Sequence, residues 1–263
     1  MTARDLLAED RLCDAIDAQY AVVAESPREA KARLLLFELL TIAGRFLDAN
    51  AELLAVESDH PDWLVTNRAF RLLLRAERRR QHSFKPTLLT EPPMHLRCRW
   101  NAVKASRIPD EAKAVKWADR AEARAPAVHG HIDGREFEGL RDADDRFANA
   151  FEFLTEGKYC WIPFESVRKV VLLPAEGMLD TVLRPAEMTL QSRPFAEPTV
   201  IRGHLPLVYP GTTISGREDA FILGRDADLT EVAGMVVGIG ERVLTFGEEE
   251  IPLGEIRQVE IRK

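Results

Sequence analysis

The chain has 263 residues, 46% hydrophobic and 30% charged, with a formal net charge of −7 and a pI near 5.5. That length suits two modest domains, and the composition is that of an ordinary globular protein. The acidic sum argues against a chain whose main business is nucleic acid or an anionic membrane surface.

Cys13, Cys98 and Cys160 form no CxxC pair, which fits neither a disulfide framework nor a zinc ribbon and points to a reducing compartment. No apolar run approaches the roughly 18 residues that span a bilayer. The start, MTARDLLAED, carries acids and lacks the apolar segment of a signal peptide. A cytoplasmic protein without membrane association is expected.

Residues 1–130 predict paired helices. Shifted by 34 residues, Arg11, Asp14, Ala15 and Pro27 fall on Arg45, Asp48, Ala49 and Pro61. Thirty-four residues is the tetratricopeptide (TPR) period, with a small residue where two helices cross and a proline as terminator. Arg28–Ala43 is expected to be the first helix of the second unit, ended by Gly44. Asp62–Gln81 predicts one long helix with Leu64, Phe70, Leu73 and Leu74 on its apolar face. The proline-rich stretch Thr87–Pro93 breaks the pattern, and a degenerate third unit spans Arg97–Pro126, with Ala112 or Ala114 at its crossing. Stacked helix pairs leave a concave surface suited to an extended peptide or an amphipathic helix. The candidate groove walls are Leu36, Phe37, Leu40, Phe70 and Leu74, residues that would serve equally as core. Arg68, Arg71, Arg75 and Arg79 share one helix face, either a solvated surface or a seat for acid. Without interleaved aromatics for base stacking, nucleic acid is not the expected partner.

The middle of the chain, Asp142–Phe164, is where helical periodicity gives way to short apolar runs. Ala150–Leu154 and Tyr159–Phe164 predict a β-hairpin turning at Glu156-Gly157, with Leu154 opposite Tyr159 and Phe153 opposite Cys160. One face then holds Phe151, Phe153, Cys160 and Ile162, the other Glu152, Leu154, Tyr159 and Trp161. A helix through Phe147, Phe151 and Leu154 is the competing reading. After the linker HGHIDG, residues 131–263 predict a β-rich domain with a barrel-like antiparallel sheet. Its candidate strands are Arg168–Leu173, Val182–Leu183, Met188–Leu190, Thr199–Ile201, Phe221–Leu223, Met235–Val237, Val243–Phe246 and Ile256–Ile261. The fold class expected is therefore α+β in two domains.

Chemical signatures are sparse. Asp142, Asp144 and Asp145 offer oxygens for a hard cation but lack the glycine and distal Glu of a calcium loop, so a turn or a pairing with Arg146 is favoured. The histidines have no HExxH or CxxC context for zinc. Gly234–Arg242 has dinucleotide-like glycines without the strand–loop–helix setting, and Ser215 lies in no GxSxG elbow. Neither metal nor cofactor is expected, nor catalysis.

Read along its whole length, the chain resembles the ImpE family. The likeness is carried by RLLLFELL with Gly44, Glu77-x-x-Arg80, Asp133-Gly134-x-x-Phe137, and Asp142-Ala143-Asp144-x-Arg146-Phe147. It continues in Gly157-Lys158-Tyr159-x-Trp161-Ile162-Pro163-Phe164, Arg184-Pro185-Ala186, Tyr209-Pro210-Gly211, Gly238–Arg242 and Ile256-Arg257-x-Val259. The resemblance implies a non-enzymatic accessory of bacterial type VI secretion that binds an N-terminal helix of the small (TssB-like) sheath subunit. Asp142, Asp144, Arg146, Tyr159, Trp161, Pro163 and Phe164 are then family-motif positions, structural or surface. A general helical scaffold with another partner and a metal-dependent enzyme using Asp142–Asp145 are the alternatives.

Overall fold

The structure, a computed structural model, describes residues 1–89, 91–108, 110–191 and 197–262. Seven helices come first: α1 (Ala3–Ala8), α2 (Leu12–Glu25), α3 (Ala30–Ile42), α4 (Phe46–Leu54), α5 (Trp63–Ser83), α6 (Met94–Ser106) and α7 (Glu111–Glu122). A capping box between Thr2 and Asp5 starts α1. Gly44, with φ of 73°, makes the turn after α3 that an L-residue would resist.

The 34-residue correspondence has a structural counterpart. Arg11 and Arg45 each precede a helix and each reach Asp14 or Asp48, at 2.7 and 2.9 Å. Ala15 and Ala49 are fully buried where helices cross. With α2 and α4 the corresponding helices, α3 lies where the helix over Arg28–Ala43 was expected, ahead of α4 and packed against it, with Gly44 in the turn between them. In α5, Phe70 is half-buried and Leu73 and Leu74 are buried, but Leu64 is exposed. In the α6–α7 pair Ala114, not Ala112, is the buried crossing residue. Of the Thr87–Pro93 stretch, all but Thr90 is described, and Thr87 forms a single parallel bridge to Cys160.

Strand structure begins at His129. The expected linker HGHIDG is instead strand β1 (His129–Ile132) and the turn into β2 (Arg135–Glu138). β3 (Arg141–Asp142), β4 (Ala150–Thr155), β5 (Lys158–Pro163), β6 (Val167–Leu172), β7 (Leu183–Leu190) and β8 (Val200–Pro206) follow. A four-residue helix α8 (Asp219–Ile222) replaces the strand expected at Phe221–Leu223. β9 (Ala227–Val232), β10 (Met235–Gly240), β11 (Val243–Phe246), β12 (Glu249–Pro252) and β13 (Gln258–Arg262) complete the chain. The main sheet is antiparallel in the order β2-β1-β13-β6-β7-β8-β4-β5. Its end strands β2 and β5 do not pair, so it is an open sheet and not the expected barrel. Its neighbours are the ribbon β9–β10 and the small sheet β12-β11-β3.

The β4–β5 hairpin pairs Leu154 with Tyr159 and Phe153 with Cys160, the predicted register. Glu156 and Gly157 have φ of 50° and 73°, the positive values of a type I′ turn. Its faces serve two cores. Phe151, Phe153, Cys160 and Ile162 join the sheet core with Val167, Val170, Met188 and Val259. Ala150, Leu154, Tyr159 and Trp161 join the helical core with Leu36, Phe37, Leu40, Leu73 and Leu74.

Glycine is required where β8 meets β4: a Cβ on Gly203 would lie 2.2 Å from the Leu154 carbonyl oxygen. Gly203→Ala is therefore expected to cost about 1–3 kcal/mol or more, measured as a fall in thermal midpoint. An unchanged midpoint contradicts this packing.

Candidate functional site

The polar residues of the mid-chain motif meet in one buried cluster at the junction of helices and sheet. Glu77 and Arg80, three residues apart on α5, project from one helix face. Arg80 donates from Nε and Nη2 to the two Glu77 oxygens at 2.7 and 2.8 Å, and from Nη1 to Glu152 at 3.3 Å and the Val208 carbonyl at 3.1 Å. Glu152 occupies the helix-facing side of β4, where it also accepts from Arg242 and from the Tyr159 hydroxyl. Arg242 follows β10 and donates to Asp142 at 3.0 Å. Its guanidinium lies over the Phe147 and Tyr209 rings, at 4.7 and 5.0 Å from their centroids.

The aspartates of the turn are occupied by donors. Asp144 accepts from Arg146 Nε at 2.9 Å, from the Arg146 amide at 2.7 Å and from the Gly238 amide at 2.9 Å. Asp142 accepts from the Asp144 amide and the Tyr209 hydroxyl, both at 2.9 Å. Asp145 pairs with Arg141 and receives the Val236 amide at 2.7 Å. Burial, reinforced by Asp144, raises the Asp142 carboxyl to about 6 against the opposing pull of Arg242. Among the described residues no group of three His, Cys, Asp or Glu side chains is placed to hold a metal. The arrangement is saturated by arginine and amide donors, and what it does chemically is join α5 to three separate parts of the sheet half.

The other motif residues are interior. Trp161 packs edge-on to Trp100 and Phe147, at 5.7 and 5.6 Å, while Tyr159, Pro163 and Phe164 are buried. Leu36, Phe37 and Leu40 are completely buried and Leu74 nearly so; Phe70 is half-buried against Phe37 at 5.2 Å. The first three line no opening, because α3 is surrounded by α2, α4 and the sheet side of the core. By contrast Arg68, Arg71, Arg75, Arg78 and Arg79 are exposed, as are Leu47, Leu54, Leu64 and Val65.

Further links fasten the two halves. The Asp219 carboxylate caps α2, accepting from the Leu12 amide at 2.6 Å, and Arg225 donates to the Leu7 carbonyl at the end of α1. Glu38 on α3 accepts from the Met178 amide at 3.1 Å. Burial lifts this carboxyl to about 6, with Asp180 adding to the rise and Arg4 opposing it. The separate motifs were visible in the sequence; their convergence was not, because Arg80, Glu152 and Arg242 are separated by 72 and 90 residues. The one local signal was Glu152, an acid in an aromatic strand.

The fold and the buried cluster define an α+β protein in which an antiparallel helical array is fixed to an open sheet by an internal ion network. Residues 134–260 match the model of the ImpE family, described as ImpE protein. Over 99% of its length it is 28% identical to the type VI secretion system accessory component TagJ of Pseudomonas aeruginosa, covering 91% of that protein. A crystal structure of a Vibrio parahaemolyticus protein superimposes with a TM-score of 0.88 at 22% identity, covering 99% of this chain and 97% of that one, and so shares the fold.

Arg80→Ala leaves Glu77 buried without its cation and Glu152 with Arg242 as its remaining one, and a loss of about 3–5 kcal/mol in unfolding free energy is expected. Arg80→Lys recovers part of it, since an ammonium cannot reproduce the two-pronged contact with Glu77. Denaturant titration of both variants checks this; equal stability of Arg80→Ala and the parent contradicts it.

Because the folded-state Glu38 carboxyl is raised from 4.5 to about 6, the folded protein binds the extra proton in that window, so stability falls as pH rises through it and is flat above. Glu38→Gln keeps the acceptor for Met178 and removes this dependence, gaining about 1–2 kcal/mol at pH 7 relative to the parent. Thermal midpoints from pH 4 to 8 test the difference in slope.

Proposed function

We propose that the protein is a non-enzymatic adaptor of a bacterial type VI secretion apparatus, working in the cytoplasm by stoichiometric binding to the N-terminal helix of the small sheath subunit. The observation that carries the reading is the end-to-end similarity to TagJ, an accessory component by its name. The internal chemistry supports it: the buried carboxylates of Asp144, Asp142 and Glu152 are held by Arg146, Arg242 and Arg80. A repeat-like helical array that presents its outer side to a partner fits the same reading. Leu36, Phe37, Leu40 and Leu74, with Phe70 beside them, would then shape that array from within, while the contact itself falls on exposed residues.

Isothermal titration of the whole protein with a synthetic peptide of the sheath subunit's N-terminal helix tests this. Saturable heat at one peptide per chain, with a rise in thermal midpoint from ligand binding to the folded state, is the expected result. Absence of both removes the reading.

A further inference from the structure

The outward arginines of α5 take no part in the buried network. On a helix of 3.6 residues per turn, Arg71, Arg75 and Arg78 fall on one face and Arg80 about half a turn away. Neighbouring acids are already engaged: Asp48 by Arg45, Glu52 by Arg33 and Glu77 by Arg80. Arg71, Arg75 and Arg78 meet no carboxylate in ion-pair contact among the described residues, and Arg79 is directed to the Lys85 carbonyl at 3.1 Å. An acidic chain of net charge −7 thus concentrates unpaired positive charge on one helix face.

This face is one wall of a groove. α4 runs antiparallel beside α5, as the Phe46–His82 ring contact at 5.7 Å and the Asn67–Leu53 hydrogen bond at 3.3 Å fix at opposite ends. Phe46 and Leu74 form the floor, Leu47 and Asn50 one rim, and Arg71, Arg75, Arg78 and His82 the other. Leu47 is 73% exposed and Leu54, two turns on along α4, is 59% exposed. An apolar stripe therefore runs alongside a cationic one.

We infer that the α4–α5 groove seats an acidic amphipathic helix, its apolar stripe on Leu47 and Leu54 and its carboxylates on Arg71, Arg75 and Arg78. The assignment rests on the proposed helix-binding function and adds to it a location and a charge class. Charge complementarity selects the partner: unpaired guanidinium groups attract carboxylates and set orientation. The apolar rim argues for a protein segment over a nucleic acid, since His82 is the one exposed ring in the groove lining and Phe46 is buried in its floor.

The test titrates the whole protein, Arg71→Glu/Arg75→Glu/Arg78→Glu and Leu47→Ser with four probes. These are a designed 20-residue helix with a Leu stripe and a Glu stripe, its Lys-stripe counterpart, a single-stranded oligonucleotide, and the sheath peptide. All substituted side chains are exposed, and circular dichroism melts establish that each variant is folded. The Glu-stripe helix is expected to bind the parent, to weaken at least about tenfold on the arginine variant, to weaken on Leu47→Ser and to weaken as salt rises. The Lys-stripe helix is expected to give no binding.

Equal binding of both helices, unchanged affinity of the Glu-stripe helix on the arginine variant, or preference for the oligonucleotide overturns the inference. Sheath peptide that binds parent and arginine variant alike also overturns it while leaving the proposed function intact. Sheath peptide that fails to bind the parent, beside a Glu-stripe helix that does bind through the arginines, removes the function and leaves the groove.

Discussion

The structure depends on a set of charges withdrawn from water. Glu77, Asp142, Asp144 and Glu152 face Arg80, Arg146 and Arg242, all buried, with Tyr159 and Tyr209 adding hydroxyl donors. Four carboxylates face three guanidinium groups, and the Asp142 carboxyl is raised by burial, with Asp144 adding to the rise and Arg242 opposing it. Desolvating so many ions is costly, and such networks seldom add much net stability over a well-packed apolar alternative. What this one adds is a single geometry. Arg80 finds its partners only when α5 lies across β4 with Val208, just after β8, beside it, so a displaced packing leaves buried charge unpaired.

The hairpin makes this joint possible. Strands buried on both faces ordinarily read as continuous apolar runs, and β4–β5 does so except at Glu152. Each hairpin face closes a different core, which ties the helical half to the sheet half through shared strands as well as shared charges. The links from Asp219 to α2, from Arg225 to α1 and from Glu38 to the Met178 turn extend the seam along the helices. With α3 enclosed in this way, its leucines are committed to the interior. The exposed apolar side chains Leu47, Leu54, Leu64 and Val65 lie instead on α4 and α5.

What the sequence disclosed follows from the range of each interaction. The hairpin register was legible because turn residues, alternation and pairing all lie within 14 residues. The 34-residue correspondence of α2 with α4 was legible because the Arg–Asp contact before each helix is local. The strands β1, β2, β9 and β12 escaped notice, being short or rich in charged residues, with ladders supplied by distant partners such as β13 for β1. Sheet closure was likewise illegible, since periodicity gives strands but not their order. The motif Asp142–Arg146 could be seen as a turn, but its union with Arg242 and Tyr209 is a fact of three dimensions.

Helix α5 unites the two themes. Its inward face uses Glu77 and Arg80 at a spacing of three, so that each satisfies the other before either meets the sheet. Its outward face repeats arginine without acid, an arrangement whose self-repulsion is tolerable in water only because solvent and salt screen it. The same residue type is thus conformational cement on one side and uncommitted charge on the other. The difference is set by burial: a guanidinium group enclosed with carboxylates fixes the fold, whereas one left in solvent beside Leu47 retains its capacity to choose a partner.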